Sequence, residues 1–350
     1  MIPAHGYAAF SSTAPLGPWR FERRDPGPRD VQIEVLFCGI CHSDLHTVRE
    51  EWGPITFPQV PGHEIIGRVA AVGRDVSGFR EGQMVGVGCM VDSCQQCENC
   101  RDGLEQYCDV GFTGTYGGTE KETGRPTQGG YSNTIVVDER FVLRVPDALD
   151  PASAAPLLCA GITTYSPLRE FGAGAGKRVG VVGLGGLGHM AVKIARAMGA
   201  EVTLFTTSPG KAEDARRLGA TDVVISRDEA QMDAVRNSLD LIIDTVSAPH
   251  TLDPELNALR RDGTLVLLGG SPEPHAIEAV WPFITRRRRL AGSLIGGIRE
   301  TQEMLDFCAA HGFGADVEVV RPDYVNDAYE RMLRSDVKYR FVLDMQALAA

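Results

Sequence analysis

Arg178-Val-Gly-Val-Val182-Gly183-Leu-Gly185-Gly-Leu-Gly188 decides the fold of the chain around it. An apolar run leads into G-x-G-x-x-G, and Met190, Ile194, Ala197 and Met198 then recur at helical spacing. The first glycine allows a tight turn, the second lets backbone approach a pyrophosphate, and the third lets the helix pack close to the strand. A helix N-terminus adds positive potential at the same point. Glycine-rich turns are common, so the motif alone says little; between a strand and a helix it predicts a dinucleotide site rather than a structural loop.

Outward from that stretch, strands alternate with helices. Glu201–Phe205, Asp222–Ile225, Leu239–Ile243, Thr264–Leu268 and Leu290–Ile295 read as further strands, and Thr251–Arg260 as a helix with Leu252, Leu256 and Leu259 on one face. This is the grammar of a doubly wound parallel sheet, an α/β domain over residues 151–295. Residues 1–150 read differently. Val31–Phe37 begins with strand alternation, glycines and prolines punctuate 53–88, and 111–130 is glycine-rich loop. The tail, 296–350, ends in a strand at Tyr339–Asp344 and is expected to rejoin the mostly β first half.

The strand after the glycine loop carries the cofactor preference. An acidic residue about 20 positions on would bind the ribose hydroxyls of NAD. Here the strand ends Phe205-Thr206-Thr207-Ser208-Pro-Gly-Lys211, with two kinds of hydroxyl and a lysine and no carboxylate to repel a 2′-phosphate. NADP(H) is the expectation. Helix capping by the same hydroxyls is the alternative.

Cys94, Cys97, Cys100 and Cys108 form C-x2-C-x2-C-x7-C. Four soft thiolates in one short segment match a closed, tetrahedral structural zinc; disulfide pairing is the competing possibility. A second, scattered set stands in Gly39-Ile-Cys41-His42-Ser43-Asp44-Leu-His46, Pro61-Gly-His63-Glu64 and Cys159-Ala-Gly-Ile-Thr163. Cys41, His63 and Cys159 would give two thiolates and an imidazole, one of the known ligand sets of a catalytic zinc with its fourth position open. Taken singly, each is as readily a core residue.

In their order along the chain these motifs resemble the zinc-dependent medium-chain alcohol dehydrogenases, in particular their cinnamyl alcohol dehydrogenase and NADP-dependent aldehyde reductase branch. The resemblance runs nearly end to end. It implies a GroES-like, mostly β catalytic domain over 1–150 and 296–350, interrupted by a Rossmann cofactor domain over 151–295, with the active site in the cleft. It implies two zinc ions, catalytic on Cys41, His63 and Cys159 and structural on the four-cysteine cluster. Glu64 resembles the carboxylate that can enter the catalytic coordination sphere, and Asp44 the one that orients the zinc-bound imidazole. Ser43 resembles the hydroxyl on the substrate oxygen, and His46 the histidine that passes the proton outward past the cofactor ribose. His42 and Arg340 fall where the family contacts the pyrophosphate. Thr163, Gly183, Gly185, Gly186, Leu187, Gly188, Thr206, Thr207, Ser208 and Lys211 map to cofactor contacts. Trp52, Cys89 and Ile295 map to the substrate pocket.

The implied activity is reversible hydride transfer from NADPH to an aldehyde, with primary, aromatic or allylic alcohols in reverse. A polyol or secondary-alcohol dehydrogenase is the second reading, and a catalytically silent scaffold the third. The 2′-phosphate site speaks against the second, and the full set Cys41, Ser43, His46, His63 and Cys159 against the third. The bulk numbers agree with a small-molecule enzyme. A chain of 350 residues suits two domains, and a net charge of -11 argues against nucleic-acid binding. With no signal peptide and no membrane-length apolar run, the expectation is a cytoplasmic protein with reduced cysteines, and by resemblance a homodimer. Arg286–Arg289 is either an anion patch or a solvated turn or helix end. Cys38 and Cys308 read as buried core, and His5, His189, His250, His275 and His311 lie outside every motif.

Overall fold

The glycine-led strand Arg178–Val182 lies inside a six-stranded sheet in the computed structural model, which describes residues 1–271, 273–278 and 280–348. The spatial order is Asp222–Ile225, Glu201–Thr206, Arg178–Val182, Leu239–Asp244, Leu259–Leu267 and Arg289–Gly292. Every neighbouring pair is parallel. The chain winds outward from Arg178–Val182 in one direction and then restarts beside it at Leu239–Asp244. That reversal is where ligand sites open in such sheets. Val179, Val181, Leu204, Phe205, Ile242 and Leu265 are fully buried, as near-continuous apolar parallel strands require.

The periodicity overran at one helix. Residues Asp253–Ala258 are helical, but Leu259 already begins the strand Leu259–Leu267. Leu259 is buried in either conformation, so its apolar character could not mark the change. Pairing with Leu239 across the sheet draws it into the strand. The last strand likewise starts earlier and ends sooner than the apolar run, at Arg289–Gly292. The arginine run follows the solvated reading at Arg286, Arg287 and Arg289, which are exposed at or just past the end of the helix Trp281–Arg286, and departs from it at one position. Arg288 is buried, donating Nε to Leu259 O at 2.9 Å and Nη2 to Asn237 Oδ1 at 2.8 Å, while Arg287 pairs with Asp262. Arg288 thus satisfies backbone and side-chain oxygens at a strand start.

A seven-stranded sheet belongs to the first half and the tail. Its strands run Val317–Val320, Arg340–Asp344, Asp30–Gly39, Ile65–Val72, Met84–Val87 and Leu143–Arg144, with Thr134–Asp138 also on Asp30–Gly39. The tail strand Arg340–Asp344 lies antiparallel to Asp30–Gly39, setting Leu343 opposite Cys38. Contacts divide the chain into Met1–Cys159 with the residues from Gly296 onward, and Ala160–Ile295. The first change of unit falls later than the residue 150 boundary read from sequence. Among the described residues no helix is long and apolar enough to cross a membrane.

Candidate active site

Cys41 follows the strand Asp30–Gly39 and caps the short helix His42–Val48 from an extended backbone, φ -115° and ψ 153°. Asp44 reaches back to accept the Cys41 N–H at 2.9 Å, half of a capping box. The same buried carboxylate accepts from Gly62 N at 3.0 Å, from His63 Nδ1 at 3.1 Å and from the Tyr131 hydroxyl at 3.0 Å. Because the carboxylate accepts, His63 keeps a proton on Nδ1, which leaves Nε2 as the nitrogen a metal ion would take. Burial works to lower the proton affinity of His63, but Asp44 overcomes it and the imidazole sits well above its ordinary value. Gly62 makes the approach possible. It adopts φ 104°, and a Cβ there would lie 2.6 Å from the Tyr131 ring.

Cys159 ends the turn Ala155–Leu158 and brings its Sγ to 3.9 Å from Cys41 Sγ. Ligand atoms of Cys41, His63, Glu64 and Cys159 all lie within 4.8 Å of one another, and all four residues are buried. The bond with Cys159, against burial, holds the Cys41 thiol well below its ordinary range. Cys41, Cys89 and burial hold Cys159 well above it. Two buried sulfurs this close cannot both ionise unless a cation lies between them. Two thiolates and one imidazole are the donor set of a catalytic zinc, so the residues fit the ion.

Glu64 and Arg340 form a buried ion pair across 276 residues of sequence. Arg340, placed at the pyrophosphate by resemblance, has its Nη2 on Glu64, and its buried Nε has no partner. Burial pushes the Glu64 carboxyl up to about 7 despite Arg340, and Oε2 is buried without a partner beside the thiols. An orphaned carboxylate oxygen there suits a residue that can meet the metal. Gly39 leaves it room, since a Cβ would come within 1.9 Å of Oε2.

Around this group Ser43 Oγ is 3.5 Å from Cys41 Sγ. His46 stacks on Trp52, ring centroids 4.9 Å apart, and its Nδ1 meets the carboxylate of Glu51. The resemblance gave Glu51 no role, and a single exposed glutamate offers the sequence no signal. Exposed His42 has its ring 6.3 Å from that of His46. Cys89 is half-buried, and Cys159 helps to hold its thiol low. Ile295 closes its unit with φ 38°, buried.

The four-cysteine cluster gathers as the spacing predicted. Sulfurs of Cys94, Cys97, Cys100 and Cys108 lie within 4.8 Å of one another, and all nine cysteines are free thiols, so the disulfide alternative fails. Backbone N–H groups of Gln96 and Cys97 donate to Cys94 Sγ at 3.4 and 3.3 Å and lower that thiol to about 6. Burial raises Cys100 to about 12. So uneven a set becomes four thiolates only around a cation, as a closed zinc site provides. The lobe is pinned by Glu105, which accepts from Ile298 N at 3.0 Å, and by Arg299, which donates to Asp102 O at 2.7 Å.

In the parallel-sheet unit, Gly183 turns the chain at φ 88°, and a Cβ at Gly188 would strike Gly183 O at 2.1 Å. At Gly185 a Cβ would meet nothing within 4 Å, so this side of the loop, which includes Gly186 and Leu187, is open to a ligand. Thr206 is buried at its strand end with Oγ1 accepting from Ser208 N at 3.2 Å, whereas Thr207 and Ser208 are exposed. Lys211 Nζ donates to Leu184 O at 3.0 Å, which sets an ammonium against the glycine loop. Thr163 Oγ1 is buried without a partner, as a group awaiting a ligand would be. An open cradle, exposed hydroxyls and an adjacent cation fit a phosphorylated dinucleotide.

Comparison with known proteins agrees with both halves. Residues 27–147 match the alcohol dehydrogenase GroES-like domain, and 186–310 the zinc-binding dehydrogenase model. The chain is 57% identical over 341 residues to the aldehyde reductase YahK of Escherichia coli, covering 97% of each. It is 56% identical to the NADP-dependent alcohol dehydrogenase C of Mycobacterium bovis, over 99% of this chain and 100% of that one. The cinnamyl alcohol dehydrogenase SbCAD4 of Sorghum bicolor superposes with a TM-score of 0.95 at 48% identity, with 98% of each chain covered. With both domain models matched and more than half its residues shared with such enzymes, this chain belongs to the zinc-dependent medium-chain alcohol dehydrogenases.

Proposed function

We propose that the chain reduces aldehydes to primary alcohols with NADPH, reversibly, using zinc held by Cys41, His63 and Cys159. The carrying observation is the convergence of Cys41, His63, Glu64 and Cys159 within 4.8 Å in a chain 57% identical to an aldehyde reductase. When bound, zinc supplies Lewis acidity to a carbonyl oxygen and NADPH supplies the hydride. The protein's own residues do the rest. Asp44 fixes the His63 tautomer, and Glu64 with Arg340 sets the charge beside the thiolates. Ser43 holds the substrate oxygen and exchanges a proton with it. His46, bonded to the carboxylate of exposed Glu51, relays that proton between Ser43 and solvent, inward for reduction and outward for oxidation. Gly183 to Gly188 cradle the pyrophosphate with His42 near it, Thr163 meets the nicotinamide end, and Thr206, Thr207, Ser208 and Lys211 recognise the 2′-phosphate. Cys94, Cys97, Cys100 and Cys108 hold a structural zinc. Trp52, Cys89 and Ile295 shape the substrate pocket.

Aromatic and allylic aldehydes are the proposed substrates. A homodimer is supported by exposed Val280, Trp281 and Ile284 at 60, 71 and 62%, next to Arg289–Gly292, which ends its sheet with one edge unpaired. Nine free thiols, six of them in the two metal sets, suit a reducing cytoplasm. Steady-state kinetics with NADPH and NADH over aromatic, aliphatic and sugar aldehydes, alongside zinc analysis, test the reading. NADPH-linked turnover of aromatic aldehydes supports it. Turnover of polyols with NAD in place of this would overturn it.

A further inference from the structure

Asp44 orients two of the candidate metal ligands, and one of its donors is a tyrosine that no motif of the chain marks. The carboxylate is fully buried and takes two donors on each oxygen. Oδ1 accepts from Gly62 N at 3.0 Å and His63 Nδ1 at 3.1 Å; Oδ2 accepts from Cys41 N at 2.9 Å and the Tyr131 hydroxyl at 3.0 Å. Four donors match the four lone-pair sites of a carboxylate, so its plane is fixed rather than free to turn. A phenol has a single proton, and here it is given to Asp44. Burial, and after it the Asp44 charge, push the Tyr131 phenol well above its ordinary value, so the donor keeps that proton.

Tyr131 reaches this point from a segment anchored beside the His63 turn. Its backbone N–H donates to Pro61 O at 3.0 Å, Gly130 N to Gly62 O at 2.8 Å and Gly129 N to Val60 O at 2.7 Å. Behind them buried Arg23 donates Nη1 to Gln128 O at 2.7 Å, and Nη2 to Gly129 O and the Ser132 hydroxyl, both at 2.9 Å. The ring is fully buried, and the bare Gly62 leaves it its place. Backbone on either side thus sets where the hydroxyl stands, and the hydroxyl carries that placement to Asp44. Without it, of the bonds above only the one from Cys41 N remains on Oδ2, and the carboxylate can turn away from His63.

We infer that Tyr131 is a positioning residue for the catalytic metal: its hydroxyl locks the Asp44 carboxylate that holds His63, and so slows the loss of the ion from Cys41, His63 and Cys159. The inference rests on the zinc reading above. Removing the hydroxyl takes away one hydrogen bond, one step back from the ligand. The ion should then leave roughly three- to tenfold faster, short of the about 10- to 100-fold effect of a partner that touches the ligand itself.

Tyr131→Phe keeps the ring and the backbone bonds and removes one oxygen. The purified, zinc-loaded chain is challenged with a chelator and release of its two ions is followed, with cobalt-substituted samples assigning each phase to the two-thiolate or the four-thiolate set. Release from Cys41, His63 and Cys159 should be faster by the factor above, and release from the four-cysteine lobe unchanged. In an Asp44→Asn background the same substitution should add less than it does alone. Both ions released faster alike, as a general loosening of the fold would give, neither released faster, or losses that add in full, overturns the inference and leaves the zinc reading intact. If Tyr131→Phe does not fold, the natural chain decides. With tyrosine labelled at Cζ, the Tyr131 resonance should move when the catalytic ion is removed and returned, because the ion draws on the His63 proton that shares Asp44. A Tyr131 resonance that stays in place overturns the inference. A natural chain that binds no ion beyond that of the four cysteines overturns both.

Discussion

The carboxylate of Asp44 holds His63 Nδ1 at 3.1 Å, and the same carboxylate caps the helix that begins beside Cys41. One side chain thus sets the orientation of two metal ligands that the sequence separates by twenty-odd residues. Asp44→Asn keeps the shape but presents an amide where His63 needs an acceptor. The expected result is a loss of about 10- to 100-fold in catalytic zinc affinity or activity, the usual cost of removing such a partner. Zinc release to a chelator and kcat, measured together, check it; release at the native rate would contradict it.

The four-cysteine lobe should matter for folding rather than for the chemical step. Cys100 is buried, and its thiol becomes a ligand only around a cation. Cys100→Ser should therefore lose one of two zinc ions, the one gathered by the four thiols. A lower melting temperature, with NADPH binding preserved in whatever remains folded, is the expected pattern in zinc analysis and thermal unfolding.

Cofactor choice turns on Lys211, whose ammonium reaches Leu184 O in the glycine loop. Lys211→Glu places a carboxylate where a 2′-phosphate is to bind. NADPH affinity should fall at least about tenfold, about 1.4 kcal/mol, while NADH affinity changes far less. Equal losses for the two cofactors would end the assignment of this segment to the 2′-phosphate.

Arg340 and Glu64 form an ion pair in which both side chains are buried. Removing Arg340 leaves the buried Glu64 carboxyl without its cation, to be neutralised or held unpaired, so Arg340→Ala should destabilise by up to about 3–5 kcal/mol, and adding Glu64→Gln should restore part of the loss. Denaturant unfolding of the metal-free forms measures this. The metal-free parent adds a pH signature. With the folded value of Glu64 near about 7 against an ordinary 4.5, its contribution to stability is whole below 4.5 and is lost as pH rises through 7.

Much of this was legible in the chain itself, and the reasons are physical. Parallel strands such as Arg178–Val182 are apolar throughout because both faces are covered, so they stand out from any polar loop. The four cysteines and the glycine turn are local, and spacing alone carries their geometry. Asp44 is named through the family resemblance alone; the capping box that places it three residues from Cys41 emerges only in the fold. What escaped was long-range or ambiguous. Glu64 and Arg340 meet only once the tail strand Arg340–Asp344 pairs with Asp30–Gly39, a contact without periodicity. Arg288 looked like a surface charge because four consecutive arginines hide the one whose guanidinium turns inward onto Leu259 O. Leu259 gave a helix reading because a buried leucine is the same letter at a helix end and at a strand start.

The central claim is that Cys41, His63 and Cys159 share one zinc ion on which aldehyde reduction by NADPH depends. Cys41→Ser, assayed for zinc per chain, NADPH affinity and aldehyde reduction in one preparation, tests it most directly. The account predicts one zinc in place of two, unchanged NADPH binding and no turnover. Two zinc ions retained, with reduction near the parental rate, would contradict it.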